Sequence, residues 1–258
     1  KKIIDEAARI GTYSINLNLL NEPLINPDLV KMIKYAKMKG IVDVHFHSHG
    51  GLLTEKKAIE LIDSGLDKLL VSIDSPKKES YEKLRVRSKY DTVIDNLKRF
   101  KELRDERKSL QPLIKCNFIE FPGISEKEIQ ENLEFGLKLA DSVGFQEFID
   151  PTNTIGEKKK YGKDYRSTFA CQQPFTRLSI AEDGTVSPCC LDHEFDLSVG
   201  NIKNKSITEL WESTGMENLR EKQKSGKFFE IPRCRNCQMA TDADEGVPTQ
   251  FEIYGPTI

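Results

Sequence analysis

Six cysteines are present, and five of them follow residue 170. Cys234 and Cys237 form a C-x2-C knuckle, and Cys171 and Cys189 flank a predicted hairpin around Asp183-Gly184. Thiolates brought together by a hairpin and a knuckle suit a tetrahedral sulfur site, which holds zinc or an iron–sulfur cluster. Ligand identity alone leaves the choice of metal open, although a zinc ribbon usually shows two knuckles and this chain has one.

The other two cysteines have simpler interpretations. Cys190 is adjacent to Cys189 and cannot easily point the same way. Cys116 falls in a predicted strand, where a buried structural thiol is expected. Disulfides would need an oxidising compartment, of which the sequence gives no sign, so we expect a cytoplasmic protein.

Composition excludes some classes of partner. A net charge of −2, with 31 % charged residues of both signs, gives no electrostatic reason to expect nucleic-acid or membrane binding. No stretch approaches the roughly 20 apolar residues that span a bilayer. Because the 258 residues begin with Lys1 and not with methionine, we expect a part of a longer protein.

The first 150 residues alternate strand and helix patterns with short connections. Helices are predicted over 2–10, 27–40, 54–65, 89–108 and 125–141, and strands over 13–19, 42–47, 68–73, 112–119 and 144–149. Repeated βα units of this length imply a parallel sheet, either in a barrel or in an open wound sheet. We predict the barrel.

The pattern changes after residue 150. Residues 151–168 are polar, include the run Lys158-Lys159-Lys160, and predict a solvated linker or lid. Strands are predicted over 175–180 and 185–188, and Ser206 with Glu209 forms a capping box for a helix through Trp211. A second helix should run to about residue 224. These elements predict a second, smaller module.

Many spaced residues of this module match one known family. They are Cys171, Asp183-Gly184, Pro188-Cys189-Cys190, Asp192, Gly200-Asn201-Ile202, Ser206-Ile207, Glu209-Leu210-Trp211, Leu219-Arg220, Cys234 and Cys237. The series resembles the SPASM/twitch extension of radical S-adenosylmethionine (SAM) enzymes. A full SPASM module has further cysteines after the knuckle and holds two clusters. Since none follows Cys237, the resemblance implies the twitch form, with one 4Fe–4S cluster on Cys171, Cys189, Cys234 and Cys237.

The first half carries motifs that resemble the SAM-binding motifs of the same family. Glu22-Pro23 resembles the Gly-Glu-Pro motif that binds the methionyl amino group, with Asn21 in place of the glycine. Ser48-His49-Gly50 takes the place of the Thr-Asn-Gly motif. Val71-Ser72-Ile73-Asp74 matches the strand end that meets the ribose or carboxylate of SAM.

Tyr81 and Arg85 match a Tyr…Arg pair of the family, and Arg85 could clamp the SAM carboxylate with two hydrogen bonds. Barrel sites are built at such carboxyl ends of strands. The implied SAM contacts are Glu22, Pro23, Ser48, His49, Ser72, Asp74 and Arg85. Taken singly, Glu22 is an ordinary loop residue, Asp74 a helix cap and Arg85 a solvated helix residue. Only their joint order along the chain indicates a role in SAM binding.

One family motif is absent from the sequence. Radical SAM chemistry needs a C-x3-C-x2-C loop whose cluster donates the electron that splits SAM into methionine and a 5′-deoxyadenosyl radical. No such triplet occurs in these 258 residues, so the chain by itself cannot cleave SAM. Because the rest of the pattern is kept, we expect the loop and a second 4Fe–4S cluster in the intact protein. No catalytic residue is assigned.

A competing metal site lies on the second predicted strand. In Asp43-x-His45-x-His47-x-His49, alternate residues face one way, so the imidazoles could converge, as in metal-dependent hydrolases. Such sites need more histidines from later strands, and only His193 remains, inside the cysteine module. The simpler interpretation is hydrogen-bonded histidines that line the barrel.

The predicted fold class is α/β, a partial (β/α)6 TIM-like barrel over residues 1–167 that lacks its first strand, followed by a twitch module of a β-hairpin and helices over 168–258. The resemblance implies an enzyme that abstracts a hydrogen atom from its substrate. The cysteine spacing is close to that of a family dehydrogenase acting on an aminocyclitol, which favours dehydrogenation or epimerisation of a sugar or cyclitol. Alternatives are peptide modification or protein maturation, and a non-catalytic zinc-bound scaffold. The expected reductant is flavodoxin or ferredoxin.

Overall fold

The computed structural model describes residues 1–121, 123–149, 166–235, 237–240 and 250–254. Asn236 of the knuckle and the run Lys158–Lys160 lie outside these described residues. Contacts divide the chain into two compact units, one of Lys1–Phe148 with Gln250–Ile258 and one of Ile149–Thr249. The predicted domain boundary between residues 167 and 168 stays a prediction.

The first unit is built on a six-stranded sheet. Five parallel strands follow in chain order: β1 Ser14–Asn16, β2 Asp43–Ser48, β3 Lys68–Ser72, β4 Leu113–Glu120 and β5 Ser142–Glu147. A last strand, Gln250–Tyr254, pairs antiparallel with β5. The parallel strands and their helices form a partial TIM-like α/β barrel, as predicted from the sequence. The antiparallel strand was not predicted.

Helices connect the strands of this sheet. They are α1 Lys2–Arg9, α2 Leu29–Met38, α3 Glu55–Ile62, α4 Lys78–Leu84, α5 Tyr90–Glu106 and α6 Glu126–Leu139, with a 3-10 turn at Pro23–Ile25. The Ser125–Glu128 capping box is present at the start of α6, as predicted. Helix α4 was not predicted.

The strands alternate between a buried apolar face and a half-buried polar face. In β4, Ile114, Cys116 and Phe118 are fully buried, whereas Lys115 and Asn117 between them are half-buried. Successive side chains of a strand point to opposite faces, so the apolar set packs on the helices and the polar set lines the other side of the sheet. Strand β2 repeats the pattern, with its histidines on the polar side.

The second unit contains short elements. They are α7 Gln173–Thr176, β6 Ser179–Ile180, β7 Thr185–Ser187, β8 Gly200–Asn201, α8 Ile207–Trp211, α9 Thr214–Lys224, a 3-10 turn Phe228–Glu230 and α10 Pro232–Arg235. The hairpin β6–β7 and the Ser206–Glu209 capping box confirm the predictions. Phe175 lies in α7 and not in a strand, because Pro174 suits the first turn of a helix.

Within the described ranges, no helix has both the length and the apolar character needed to cross a bilayer.

Candidate cluster and cofactor sites

Four thiols line one cavity in the second unit. Cys171 precedes α7, Cys189 follows β7, Cys234 lies in α10 and Cys237 comes just after it. The cavity has a volume of about 40 Å³, room for about three water-sized groups. Its other lining residues are apolar apart from two glutamines: Gln173, Pro174, Pro188, Leu191, Leu197, Leu219, Gln223, Met239 and Ala240. The structure therefore brings together all four cysteines singled out in the sequence.

Buried hydrogen bonds hold the loop that carries Cys189. The Ser187 hydroxyl donates to the Asp192 carboxylate at 2.7 Å, and the Cys189 N–H donates to the Ser187 oxygen at 3.3 Å. Asp192, 2 % exposed, also accepts from the N–H groups of Asp196 and Leu197. Arg233, next to Cys234, donates to the Leu191 carbonyl at 2.6 Å and so ties the knuckle to this loop.

The thiols are costly to ionise where they stand. Burial raises the pKa of Cys189 to about 12 and also raises the pKa values of Cys171 and Cys234, and repulsion among the neighbouring thiolates adds to each shift. Thiolates are the metal-binding form, so the cavity needs a cation to stabilise them.

The donor set fits an iron–sulfur cluster. Four soft thiolates are the usual ligands of a 4Fe–4S core. Among the described residues, no three His, Cys, Asp or Glu side chains are grouped closely enough to hold a single ion.

Neither of the remaining two cysteines is among the described residues that line this cavity. The Cys190 sulfur does not line it and lies 3.8 Å from an Arg177 nitrogen and 3.9 Å from the Gln173 side-chain oxygen. Cys116 is fully buried in β4, and burial raises its pKa to about 12. The predicted burial of Cys116 is confirmed.

In the first unit, the Glu22 carboxylate joins two strand ends. One carboxylate oxygen accepts from the Leu24 N–H at 3.1 Å and from the Ser48 hydroxyl at 2.9 Å. The other accepts from the His49 N–H at 2.9 Å and lies 3.4 Å from His49 Nε2. Pro23 begins the 3-10 turn that presents Glu22. Glu22, Pro23, Ser48 and His49 are therefore brought together by the chain.

A second group forms after β3. Asp74 has a positive φ of 57° and accepts from Arg85 Nε at 2.5 Å, so Arg85 is engaged with a carboxylate of the chain itself. The other oxygen of Asp74 is buried and accepts no hydrogen bond from any described residue. Ser72 ends β3 in register with Asn117 of β4. A buried carboxylate oxygen without a partner is suited to accept a hydroxyl group from a ligand.

The two histidines of β2 and His49 just after it contact different partners. His45 pairs with Asp43 at 3.0 Å, His47 lies 3.5 Å from the Asn117 amide, and the His49 side chain accepts from the Gly51 N–H. Burial, together with positive neighbours, lowers the pKa of His47 to about 4, so this imidazole is neutral at pH 7. Among the described residues, these three imidazoles do not form a group that could hold a metal ion.

Sequence reasoning missed three residues. Lys115 and Asn117 share the polar side of β4, and their side chains lie over Gly144, where a Cβ atom would come within 2.7 Å of Asn117 Oδ1. Alternating polar residues in a strand of a parallel sheet could have revealed them, since such strands are usually apolar throughout. Gln223 of α9 is 1 % exposed and lines the cysteine cavity. Its position in an amphipathic helix gives no comparable signal.

Family models match both halves of the chain. The model described as "Radical SAM superfamily" matches residues 1–136, and the SPASM model, described as "Iron-sulfur cluster-binding domain", matches residues 171–238. The GTP 3′,8-cyclase of Limosilactobacillus fermentum is 27 % identical over 174 residues, which cover 67 % of this chain and 50 % of that protein. The chain thus spans about half the length of that relative.

Other matches extend further along the chain. The probable GTP 3′,8-cyclase of Methanococcus maripaludis strain C5 is 32 % identical over 243 residues, with 80 % of this chain and 78 % of that protein covered. The structure of Streptococcus suis SuiB bound to precursor peptide SuiA has a TM-score of 0.69 at 15 % identity, with 96 % of this chain and 66 % of that chain covered. BtrN in complex with AdoMet and 2-DOIA has a TM-score of 0.57 at 15 % identity, with 92 % and 77 % covered.

At such identities the two structures show a shared fold and nothing more. The family models carry the assignment, because one of them matches more than half of the chain and the other spans all four cysteines of the cavity. The chain therefore belongs to the radical SAM superfamily and carries a SPASM-type module.

Proposed function

We propose that Cys171, Cys189, Cys234 and Cys237 hold an auxiliary 4Fe–4S cluster in an enzyme that abstracts a hydrogen atom from a polar small molecule. The observation that carries the proposal is the single cavity lined by thiols from separate segments of the second unit. None of the four forms a disulfide with another described cysteine. A cationic core would offset the mutual repulsion of the four thiolates.

The SAM site is proposed at the strand ends of the first unit, on Glu22, Pro23, Ser48, His49, Ser72, Asp74 and Arg85. When bound, SAM and its cluster supply the radical that abstracts hydrogen. Glu22 and Asp74 would accept hydrogen bonds from the ammonium and hydroxyl groups of SAM. The unpartnered oxygen of Asp74 supports this role. Glu22 keeps acceptor capacity because a carboxylate offers about four lone-pair sites.

The proposed substrate is a sugar or cyclitol that undergoes dehydrogenation or epimerisation. The polar side of the sheet supports a hydroxyl-rich substrate, since His47 and Asn117 offer neutral hydrogen-bonding groups and Lys115 a cation there. The curated relatives favour a second candidate, cyclisation of a nucleotide such as GTP. Peptide modification is the third outcome of the test.

The test uses the full-length protein, purified without oxygen and given SAM and a reductant such as flavodoxin. Formation of 5′-deoxyadenosine is measured with an aminocyclitol, with GTP and with a peptide. Stimulation by the aminocyclitol, with an oxidised or epimerised product, supports the first proposal. Stimulation by GTP alone replaces it with the second candidate, and stimulation by the peptide alone overturns both.

The zinc-scaffold alternative is tested by colour and metal content. A brown protein with visible charge-transfer absorption supports the cluster, whereas a colourless protein with one zinc per chain removes the enzyme interpretation of the cysteine site. A cytoplasmic location and a flavodoxin or ferredoxin reductant are part of the proposal. Fractionation of the source cells and reduction assays with each carrier test them.

A further inference from the structure

Gln223 is a buried amide beside the cysteine cavity. It lies in the last turn of α9, is 1 % exposed and lines the same cavity as the four thiols. A buried amide without partners is costly, so its hydrogen bonds show what the position requires.

Both ends of this amide face segments that carry cysteines. Its oxygen accepts from the Cys171 backbone N–H at 3.1 Å, and its nitrogen lies 3.9 Å from the Cys234 sulfur. The orientation of the amide follows from chemistry, because the reverse orientation would set two N–H donors against each other at Cys171. One side chain thus bridges two of the proposed ligand segments.

The end of α9 is fixed by a glycine contact. Gly226, at φ +67°, donates its N–H to the Gln223 carbonyl at 3.1 Å, and its own carbonyl accepts from the Ser167 N–H at 3.0 Å. A Cβ atom at position 226 would lie 3.0 Å from Ser167 N and closer still to Ser167 O. Docking of the helix end on residue 167 places Gln223 beside Cys171.

We propose that Gln223 is a positioning residue of the auxiliary cluster, holding the Cys171 segment through its oxygen and donating an N–H···S hydrogen bond to the Cys234 thiolate. This inference rests on the proposed cluster. Hydrogen bonds to ligand sulfurs help set cluster potentials, and a donor withdraws charge from the thiolate and favours the reduced cluster.

The experiment uses the 258-residue chain, reconstituted with iron and sulfide without oxygen. Gln223→Leu removes both hydrogen bonds, and iron affinity should fall about tenfold or more. Gln223→Glu keeps the acceptor for Cys171 but removes the donor and adds a negative charge. At a fixed potential, its ratio of reduced to oxidised cluster should fall about tenfold, a shift of about 59 mV for one electron.

Gln172→Glu is the matched control. Gln172 is adjacent to Cys171 but exposed, and its side chain donates to the Ala170 carbonyl outside the cavity. This variant should keep both the iron affinity and the potential. Equal iron affinity and equal potential in wild type and both Gln223 variants would overturn the inference. An equal shift in Gln172→Glu and Gln223→Glu would also overturn it, because charge alone would then explain the result.

A measurement on the wild type covers the case in which the Gln223 variants do not fold. Glutamine labelled with ¹⁵N in its side-chain amide should give hyperfine coupling to the reduced cluster, and absence of coupling would contradict the hydrogen bond. Failure of the proposed function looks different: the wild-type chain itself would then bind no cluster. A bound cluster with no effect at Gln223 overturns the inference alone.

Discussion

The proposed SAM site around Glu22 and the cysteine cavity satisfy their polar groups in different ways. Around Glu22, the chain already supplies donors from Leu24, Ser48 and His49. In the cavity, buried thiols lie near one another, and burial and repulsion raise their pKa values. The first site is preorganised by the chain itself, whereas the second needs a cation before its ligands can ionise.

This contrast predicts which substitutions should affect each unit. Loss of a cysteine ligand or of the metal should destabilise the second unit, which carries the cysteine cavity. The first unit, which carries the six-stranded sheet, should stay folded. Charge changes at the strand ends should alter ligand affinity without loss of iron.

Cys189→Ser should abolish assembly of the auxiliary cluster. A serine oxygen at this position is a hard ligand of a soft-metal site, and three thiolates hold the core less well. Iron and sulfide analysis of the reconstituted chain should show a near-complete loss. Cys190→Ser is the matched control, since the Cys190 sulfur does not line the cavity, and it should keep its iron. Equal iron content in the two variants would contradict the assignment of Cys189 as a ligand of the cluster.

Gly226→Ala should destabilise the cysteine module by about 1–3 kcal/mol. The residue has φ +67°, and a Cβ atom would meet the Ser167 backbone. Hydrogen exchange of peptides from α9 measures the effect. Gly215→Ala, in the first turn of the same helix, meets only Val199 Cγ1 at 3.6 Å and Ser213 Oγ at 3.9 Å, and should be neutral or slightly stabilising. Equal protection in both variants would contradict the docking of the helix end.

His47 should make the sheet unit lose stability in mild acid. The pKa of His47 is about 4 in the folded chain and 6.5 in the unfolded chain. Between these two pH values the unfolded chain therefore binds one more proton than the folded chain. The contribution is fully present above pH 6.5 and is lost as the pH falls towards 4, by about 3 kcal/mol. Hydrogen exchange of β2 peptides at several pH values measures it. In His47→Gln this pH dependence should be weaker. An unchanged slope of stability against pH would show that another group causes it.

Glu22→Gln should weaken SAM binding about tenfold in the full-length protein, because the amide loses the charge that strengthens its hydrogen bonds. Calorimetric titration with SAM measures the dissociation constant. Glu60→Gln is the control, because Glu60 lies in α3 and pairs with Lys56 of the same helix. The iron content of Glu22→Gln should equal that of wild type. Unchanged SAM affinity would exclude Glu22 from the SAM site.

Local sequence signals predicted much of the fold. The capping boxes at Ser125 and Ser206 act within one turn of helix, so neighbouring residues suffice to predict them. The predicted strand 13–19 is shorter in the structure, Ser14–Asn16, because among the described strands β1 is at the edge of the sheet and pairs with β2. The strand Gln250–Tyr254 depends on pairing with the distant β5, which no local pattern encodes.

The candidate sites show the same difference between local sequence signals and contacts that exist only in the folded chain. The cysteines were found because their spacing is unusual, and Glu22 and Asp74 because several motifs occur in a fixed order. Gln223 was missed because only the folded module shows that this helical position lies against Cys171 and Cys234. Arg85 was expected to clamp a ligand, yet it is already paired with Asp74, a contact that depends on the loop conformation after β3.

Iron and sulfide quantitation with Mössbauer spectroscopy on the reconstituted 258-residue chain tests most directly whether the four thiols bind one cluster. About four iron and four sulfide per chain, with a cubane signature that disappears in Cys189→Ser, is the expected result. One zinc per chain, or iron that remains when Cys189 is replaced, would contradict it.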